Sequence, residues 1–228
     1  MSTWHIICVS SSDAIRLLLI YKYGGHYSDL DMVFLRSVAT LANFTSGDGI
    51  NNSKENKLGQ SPDNLKETSI GPTVANAMFH FDAGHEFIQR CLEHFQAGFR
   101  PEDRLSGGPL LFTRVFLMEM CGMPLGQAVS NILISTFNPE RCKGINILPQ
   151  TSFYYYGWFS FSTLYSTEKL AVEWERIFKD SYGVHMYSSS VHSKRRMLRP
   201  RYYGKEWPAY LYLAINHCPL AYYSEKSF

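Results

Sequence analysis

A double glycine, Gly24-Gly25, separates a helical pattern from the motif Tyr27-Ser28-Asp29-Leu30-Asp31, and it constrains the fold of the first part of the chain more than any other feature. Glycine tolerates the left-handed backbone that ends helices, so the pair reads as a helix stop. Upstream, Ser10-Ser11-Ser12-Asp13 reads as a helix start, and Ile15, Leu18 and Leu19 recur at helical spacing. Downstream, residues 27–35 read as extended, with Leu30, Met32 and Phe34 on one side and Asp29, Asp31 and Val33 on the other. Two carboxylates on one side repel, and each raises the pKa of the other unless a cation lies near them. A hard divalent ion such as Mn²⁺ or Mg²⁺ takes oxygen ligands of this kind and shares its remaining positions with phosphate oxygens. The chemistry implied is a metal held against a diphosphate. A bare Asp-x-Asp also occurs at solvated strand edges and turns. A phosphatase-type pair closes a buried hydrophobic strand, for which Gly24-Gly25-His26 is a poor candidate.

Composition narrows the classes further. The 228 residues carry 22 Lys and Arg against 20 Asp and Glu, a net charge of +2, with 45% hydrophobic, 15% aromatic and 18% charged residues. That apolar content at low net charge excludes a disordered chain, and the charge balance gives no footprint for binding nucleic acid. No apolar run approaches the roughly 18 residues of a membrane span; the longest, over 14–23, contains Arg16 and Lys22. No signal-peptide pattern is read at the N-terminus. The five cysteines, Cys8, Cys91, Cys121, Cys142 and Cys218, form no CxxC pair, which argues against a zinc or thioredoxin motif. Sequons at Asn43 and Asn51 matter only if the chain is lumenal.

The rest of the chain reads as strands interspersed with helices, an α/β pattern without internal repeat or clear linker. Residues 45–70, rich in Ser, Asn, Gly and Lys, read as a surface loop or insertion. Strands are expected over 74–81, 144–148 and 182–187. Helices are expected over 83–98, 109–121, 168–178 and 208–217. Residues 153–158 form an aromatic cluster.

Ser12-Asp13-Ala14-Ile15-Arg16, then Leu19-Ile20-Tyr21-Lys22-Tyr23-Gly24-Gly25, then Tyr27-Ser28-Asp29-Leu30-Asp31, resembles the DXD signature of the family of lactosylceramide 4-alpha-galactosyltransferases and alpha-1,4-N-acetylglucosaminyltransferases. The layout is also similar to the wider DXD-sugar group. Gly84-His85-Glu86-Phe87 ahead of Cys91, Gly108-Pro109 with Thr113-Arg114-Val115-Phe116, Cys142-Lys143-Gly144 before Leu148-Pro149, and Val184-His185 resemble the galactosyltransferase branch in order and spacing. The resemblance spans about residues 10–220. It implies one catalytic domain over 1–228, with the sugar-binding DXD region at 10–40 and the alpha-1,4-glycosyltransferase region at 75–220.

The resemblance further implies a GT-A type α/β fold using a nucleotide sugar with Mn²⁺ or Mg²⁺. Asp31 would ligate the metal, and Asp29 would contact the donor or the metal through water. Asp13 and Arg16 match positions that hold the donor sugar, although from the residues alone Asp13 reads as an N-cap and Arg16 as an exposed helix charge. Tyr27 would stack on or bond the donor, and Asn76 would face the sugar or acceptor, with a turn asparagine as the plain reading. Gly108 and Pro109 belong to the substrate-binding set. His185 would complete the metal shell, or be a core or surface histidine. Lys194, Arg195 and Arg196 would neutralise the leaving diphosphate or form a solvated basic loop. Tyr154, Tyr155, Tyr156, Trp158 and Phe159 suit stacking on a sugar or simple packing. A Cys121–Cys142 disulfide fits a Golgi lumen.

The implied reaction moves galactose or an N-acetylhexosamine from UDP to a galactose-ended glycolipid, with retention. No carboxylate can be placed as a covalent nucleophile, so a front-face mechanism is expected. Departures from the family are Ser106-Gly107 before Gly108-Pro109, Tyr187-Ser188 where Trp-Asn is usual, and a long insertion near 46–60. Family members also carry a cytoplasmic tail, a membrane anchor, a stem and a first strand–helix unit. The chain starts about a dozen residues before Asp13, so that unit is expected to be missing. Membrane association would then come from the missing anchor or from the lipid acceptor. The alternative is a non-catalytic relative that binds UDP and metal, or a partner, without turnover; a mannosyl- or glucosyltransferase is the alternative within the group.

Overall fold

The computed structural model describes residues 3–48, 73–98, 107–123, 139–158, 160–166, 169–188 and 207–224. They group into two compact units, the first made of Met1–Ser28 with Leu41–Pro149, the second of Asp29–Thr40 with Gln150–Phe228.

In the first unit, α1 runs over Thr3–Tyr23. The Ser10–Asp13 signature therefore lies inside the helix and does not start it. Its buried face is also not the expected one: Asp13, Arg16, Leu17 and Ile20 point inward, while Ile15, Leu18 and Leu19 are 54%, 54% and 50% exposed. An ion pair shares the inner stripe with two aliphatic residues, so hydrophobic spacing alone picks the wrong side. The stop falls where expected. Gly24 and Gly25 have φ of +67° and +99°, and the Gly24 N–H donates to the Ile20 carbonyl at 2.8 Å. A Cβ on Gly24 would stand 2.7 Å from the Ala83 nitrogen, so neither conformation nor space admits a side chain there.

The mixed sheet of this unit joins β1 (Gly25–Ser28), β3 (Phe44–Asp48), β4 (Thr73–Val74), β5 (Met78–Phe81) and β6 (Asn146–Leu148). Its order is β1-β5-β3-β4, with β6 also on β3. The β1–β5 ladder is antiparallel, with Gly25 opposite Phe81 and Ser28 opposite Met78. The β3–β6 pair is parallel. Residues 45–48 are thus strand and not surface loop. Thr45 and Ser46 are fully buried because their hydroxyls donate to carbonyls, Thr45 to Ala75 at 2.7 Å and Ser46 to Pro149 at 3.3 Å. The remainder of that segment, residues 49–72, lies outside the described residues.

Helix α2 (Glu86–Gly98) and helix α3 (Pro109–Val115), which continues as a π-helical turn at Phe116–Met120, supply the core with Phe79 and Phe81. Its rings meet at 5.0–5.1 Å, Phe81 against Phe87 and Phe112 against both Phe79 and Phe87. The Cys121–Cys142 disulfide forms, tying the residue after the π-helical turn to a short 3₁₀ turn at Pro139–Cys142.

In the second unit, β2 (Met32–Phe34) pairs antiparallel with β7 (Gly183–His185), Met32 opposite His185 and Phe34 opposite Gly183. Residues 27–35 are therefore not one extended run. The turn at Leu30-Asp31 breaks the alternation, leaving Leu30 fully exposed and Phe34 partly so while Met32 is buried. Gly183 sits tightly: a Cβ there would meet the Val33 carbonyl oxygen at 3.1 Å and the Phe153 ring at 3.3 Å. Helices α4 (Ala171–Ile177), α5 (Ala209–His217) and α6 (Pro219–Ser224) follow. Trp174, Phe178, Val184, Met186 and Leu213 form the core, and the Trp174 indole N–H donates to the Trp207 carbonyl at 2.6 Å. Among the described residues no helix is long and apolar enough to cross a membrane.

Candidate active site

The first unit gathers five of the expected substrate-binding residues. Asp13 and Arg16, one turn apart on α1, form an ion pair at 3.2 Å with side chains only 6% and 8% exposed. Asn76, in the bend between β4 and β5, closes the cluster from two sides: its side-chain amide donates to Asp13 Oδ1 at 3.0 Å, and its carbonyl accepts from Arg16 Nη1 at 2.8 Å. The Arg16 guanidinium also lies 4.5 Å over the Tyr27 ring, which stacks on Phe79. Asp13 is thus no helix cap and Arg16 no exposed charge, and Asn76 is more than a turn residue. A buried ion pair survives only when its remaining polar atoms are satisfied, and here they find each other. Gly108 lies against this cluster, since a Cβ on it would come within 3.2 Å of the Asn76 amide and 3.3 Å of Asp13 Oδ2. Pro109 opens α3 as the first helical residue.

The second unit gathers the three expected metal ligands. His185 Nε2 lies 3.1 Å from Asp31 Oδ1 and 3.8 Å from Asp29 Oδ2. One donor atom from each of the three residues falls within 4.8 Å of the others. The antiparallel β2–β7 pairing brings Asp31 and His185 together, and the Met186 N–H donating to the Asp31 carbonyl at 2.9 Å extends it. Tyr187 then adopts a left-handed backbone, φ +50°, an unusual conformation for a bulky residue. The chain reverses, and the Ser188 N–H reaches Asp31 Oδ2 at 2.8 Å. Burial pushes the Asp31 carboxyl up, but the hydrogen bond and charge of His185 and the Ser188 N–H outweigh it, holding the group below its ordinary value. The Tyr165 hydroxyl donates to the Met186 carbonyl. Burial foremost, with the negative charge of Asp31 adding to it, pushes this phenol up to about 12, so it stays a neutral donor.

Two carboxylates and one imidazole, with Asp29 and Asp31 still a quarter exposed, fit a divalent cation that keeps positions open for phosphate oxygens. His185 Nδ1 is buried without a hydrogen-bond partner. Its ring is instead packed edge-on by Tyr187 at 4.2 Å and Tyr154 at 5.5 Å.

The sequence missed Tyr165 and the Ser188 N–H. A backbone donor carries no residue signature, and a left-handed tyrosine has no counterpart to the glycine signal. Of the aromatic segment, Phe153 and Tyr154 are buried, and Tyr155 and Tyr156 pack on Phe178 and Trp174. Among the described rings there, Trp158 alone is largely exposed. Phe159, Lys194, Arg195 and Arg196 lie outside the described residues.

Comparison with known proteins gives the class. A family model described as glycosyltransferase sugar-binding region containing DXD motif matches residues 2–53, which include Asp13, Arg16, Tyr27, Asp29 and Asp31. A second, described as alpha 1,4-glycosyltransferase conserved region, matches residues 80–224, which include Gly108, Pro109 and His185. The chain belongs to the alpha-1,4-glycosyltransferase family, whose model covers more than half of it. It is 27% identical over 215 residues to human alpha-1,4-N-acetylglucosaminyltransferase, covering 93% of this chain and 51% of the relative. It is 26% identical over 184 residues to gorilla lactosylceramide 4-alpha-galactosyltransferase (81% and 46%) and 27% over 177 residues to the mouse enzyme of that name (78% and 40%). The chain thus spans about half or less of these relatives' lengths.

Proposed function

We propose that the chain is the catalytic domain of a retaining, metal-dependent glycosyltransferase of GT-A type. In this reading it transfers galactose, or an N-acetylhexosamine, from a UDP-sugar to O4 of a galactose-ended glycolipid such as lactosylceramide, in an alpha linkage. The observation that carries the reading is the convergence of Asp29, Asp31 and His185. A divalent ion, Mn²⁺ or Mg²⁺, held by these three residues supplies positive charge to the phosphates as UDP departs.

The chain's own residues do the rest. The Ser188 N–H and His185 keep Asp31 ionised and fix its orientation. Asp13 belongs to the donor-sugar site by its match to the family position, and its Oδ2 lies against Gly107 and Gly108, 3.6 Å and 3.3 Å from where a Cβ would stand. Arg16 and the Asn76 amide, both bonded to Oδ1, hold that carboxylate in place. During transfer the bond between the sugar C1 and the phosphate oxygen breaks, and its electron pair leaves with UDP. Acceptor O4 bonds to C1 on the same face, and its proton passes to the departing phosphate oxygen. Asp29 and Asp31 would be committed to the cation, and a front-face route is the reading that asks for no covalent nucleophile. The setting is the Golgi membrane, where a glycolipid acceptor would reside.

UDP release tests this. The protein with Mn²⁺, offered UDP-galactose and UDP-GalNAc with lactosylceramide, should release UDP, and Asp31→Asn should abolish release without unfolding the chain. Tight UDP–Mn²⁺ binding with no release favours a binding protein without turnover. A trapped glycosyl-enzyme adduct removes the front-face route.

A further inference from the structure

A line of rings runs outward from His185. Tyr187 packs on the imidazole at 4.2 Å. Phe161 and Trp158 pack on Tyr187 at 5.2 Å and 5.9 Å, and on each other at 5.7 Å. Tyr187 is buried, whereas Trp158 keeps 51% of its surface exposed. The remaining described rings of the segment 153–158 face the interior or pack on Phe178 and Trp174. Trp158 is therefore held by two rings and still offers about half of its surface to solvent. A preheld indole loses little conformational entropy when a ligand stacks on it.

The position selects the ligand. Trp158 is linked to the His185 imidazole through one intervening ring, Tyr187, which sets it apart from the Asp29–Asp31–His185 cluster at a spacing where a second substrate fits. The electron-rich face of an indole attracts the polarised C–H bonds of a pyranose. Galactose offers C3–H, C4–H and C5–H together on one face, with its axial 4-hydroxyl on the other. Stacking by that apolar face leaves O4 directed away from the indole and open to attack on the donor.

We propose that Trp158 is the platform on which the terminal β-galactose of the acceptor stacks. This rests on the alpha-1,4-transfer reading above. Tyr187 then packs on both His185 and Trp158, and it ties the acceptor platform to the Asp29–Asp31–His185 cluster.

The test uses the full chain with Mn²⁺ and the soluble probe methyl β-lactoside, so that lipid plays no part. Trp158→Ala should raise the acceptor KM at least tenfold. Trp158→Phe, which keeps a ring, should raise it two- to threefold. The donor KM and the release of UDP from UDP-galactose without acceptor should stay unchanged. An unchanged acceptor KM, or a raised donor KM indicating that the indole holds the uracil, overturns the proposal. Saturation-transfer NMR with the lactoside stands apart from turnover. Galactose H3, H4 and H5 should receive saturation from the wild type and lose it in Trp158→Ala. If that holds while no UDP is released, the platform stands and the enzymatic reading falls. No lactoside signal from the wild type, or an equal one from a folded Trp158→Ala, overturns the platform.

Discussion

Asp13 in the first unit meets a guanidinium and a carboxamide within 3.2 Å, whereas Asp29 and Asp31 in the second meet each other around one imidazole. The first cluster is buried and closed on itself, with each charge balanced by a neighbour of the same unit. The second is partly open and has two carboxylates for one histidine. Desolvation explains the contrast. A buried charge must be paired inside the protein, while a charge kept near solvent retains part of its hydration. The first unit also carries the disulfide between Cys121 and Cys142, and among the described residues the second has only the unbridged Cys218.

Single substitutions should therefore separate the two clusters. Asp31→Asn is expected to lower UDP release by about a hundredfold or more, with little change in the thermal midpoint. Arg16→Met leaves the Asp13 carboxylate buried and unbalanced, and should cost about 3–5 kcal/mol in urea unfolding. If Asp31→Asn destabilised as much as Arg16→Met, the second cluster would be structural as well. Reduction of the disulfide, or Cys121→Ser with Cys142→Ser, should cost about 3 kcal/mol. Hydrogen exchange should show that loss around the π-helical turn at Phe116–Met120 and around β6. Added Mn²⁺ should act on the other cluster. At a hundredfold excess over its Kd it should stabilise by about 2.7 kcal/mol, slow exchange at β7 and the Ser188 amide, and do neither in His185→Gln.

The smallest effect is on pH. His80 on β5 faces His26 on β1 with ring centroids 4.3 Å apart, and its Nδ1 accepts the Asn43 N–H. Burial first, and then the charge of His26, lower its pKa below the ordinary 6.5 against the pull of Asp82. The unfolded chain thus binds this proton more readily than the folded one. Stability is fully present above about pH 6.5 and declines as pH falls through the lowered native value. His80→Gln should flatten that decline in acid denaturation curves, and an unaltered curve would remove His80 as its source.

The site was more legible in the sequence than the fold around it. Asp29, Asp31 and His185 were named from motif and order, and the structure brings them together. Asp13, Arg16, Tyr27, Asn76 and Gly108 also meet. The motif did this without the right local geometry, because the carboxylates converge across a turn and not along a strand. Hydrophobic spacing failed on α1, where a satisfied ion pair takes the inner face and displaces Ile15, Leu18 and Leu19. It failed again at Thr45 and Ser46, since a polar strand can be buried when partner carbonyls exist, and a sequence does not display partners. Tyr165 carries no signal in the sequence for the same reason: its hydroxyl meets a backbone carbonyl, that of Met186, in the segment beside His185.

Gly183 has no functional group, yet it sets how closely β7 can lie against β2. A larger residue there would press on the Val33 carbonyl and the Phe153 ring, pushing the strand aside and taking His185 with it. Inherited variation at this position would disturb the Asp29–Asp31–His185 cluster while altering none of its three side chains. A variant screen that scores positions by their chemical groups would pass over it.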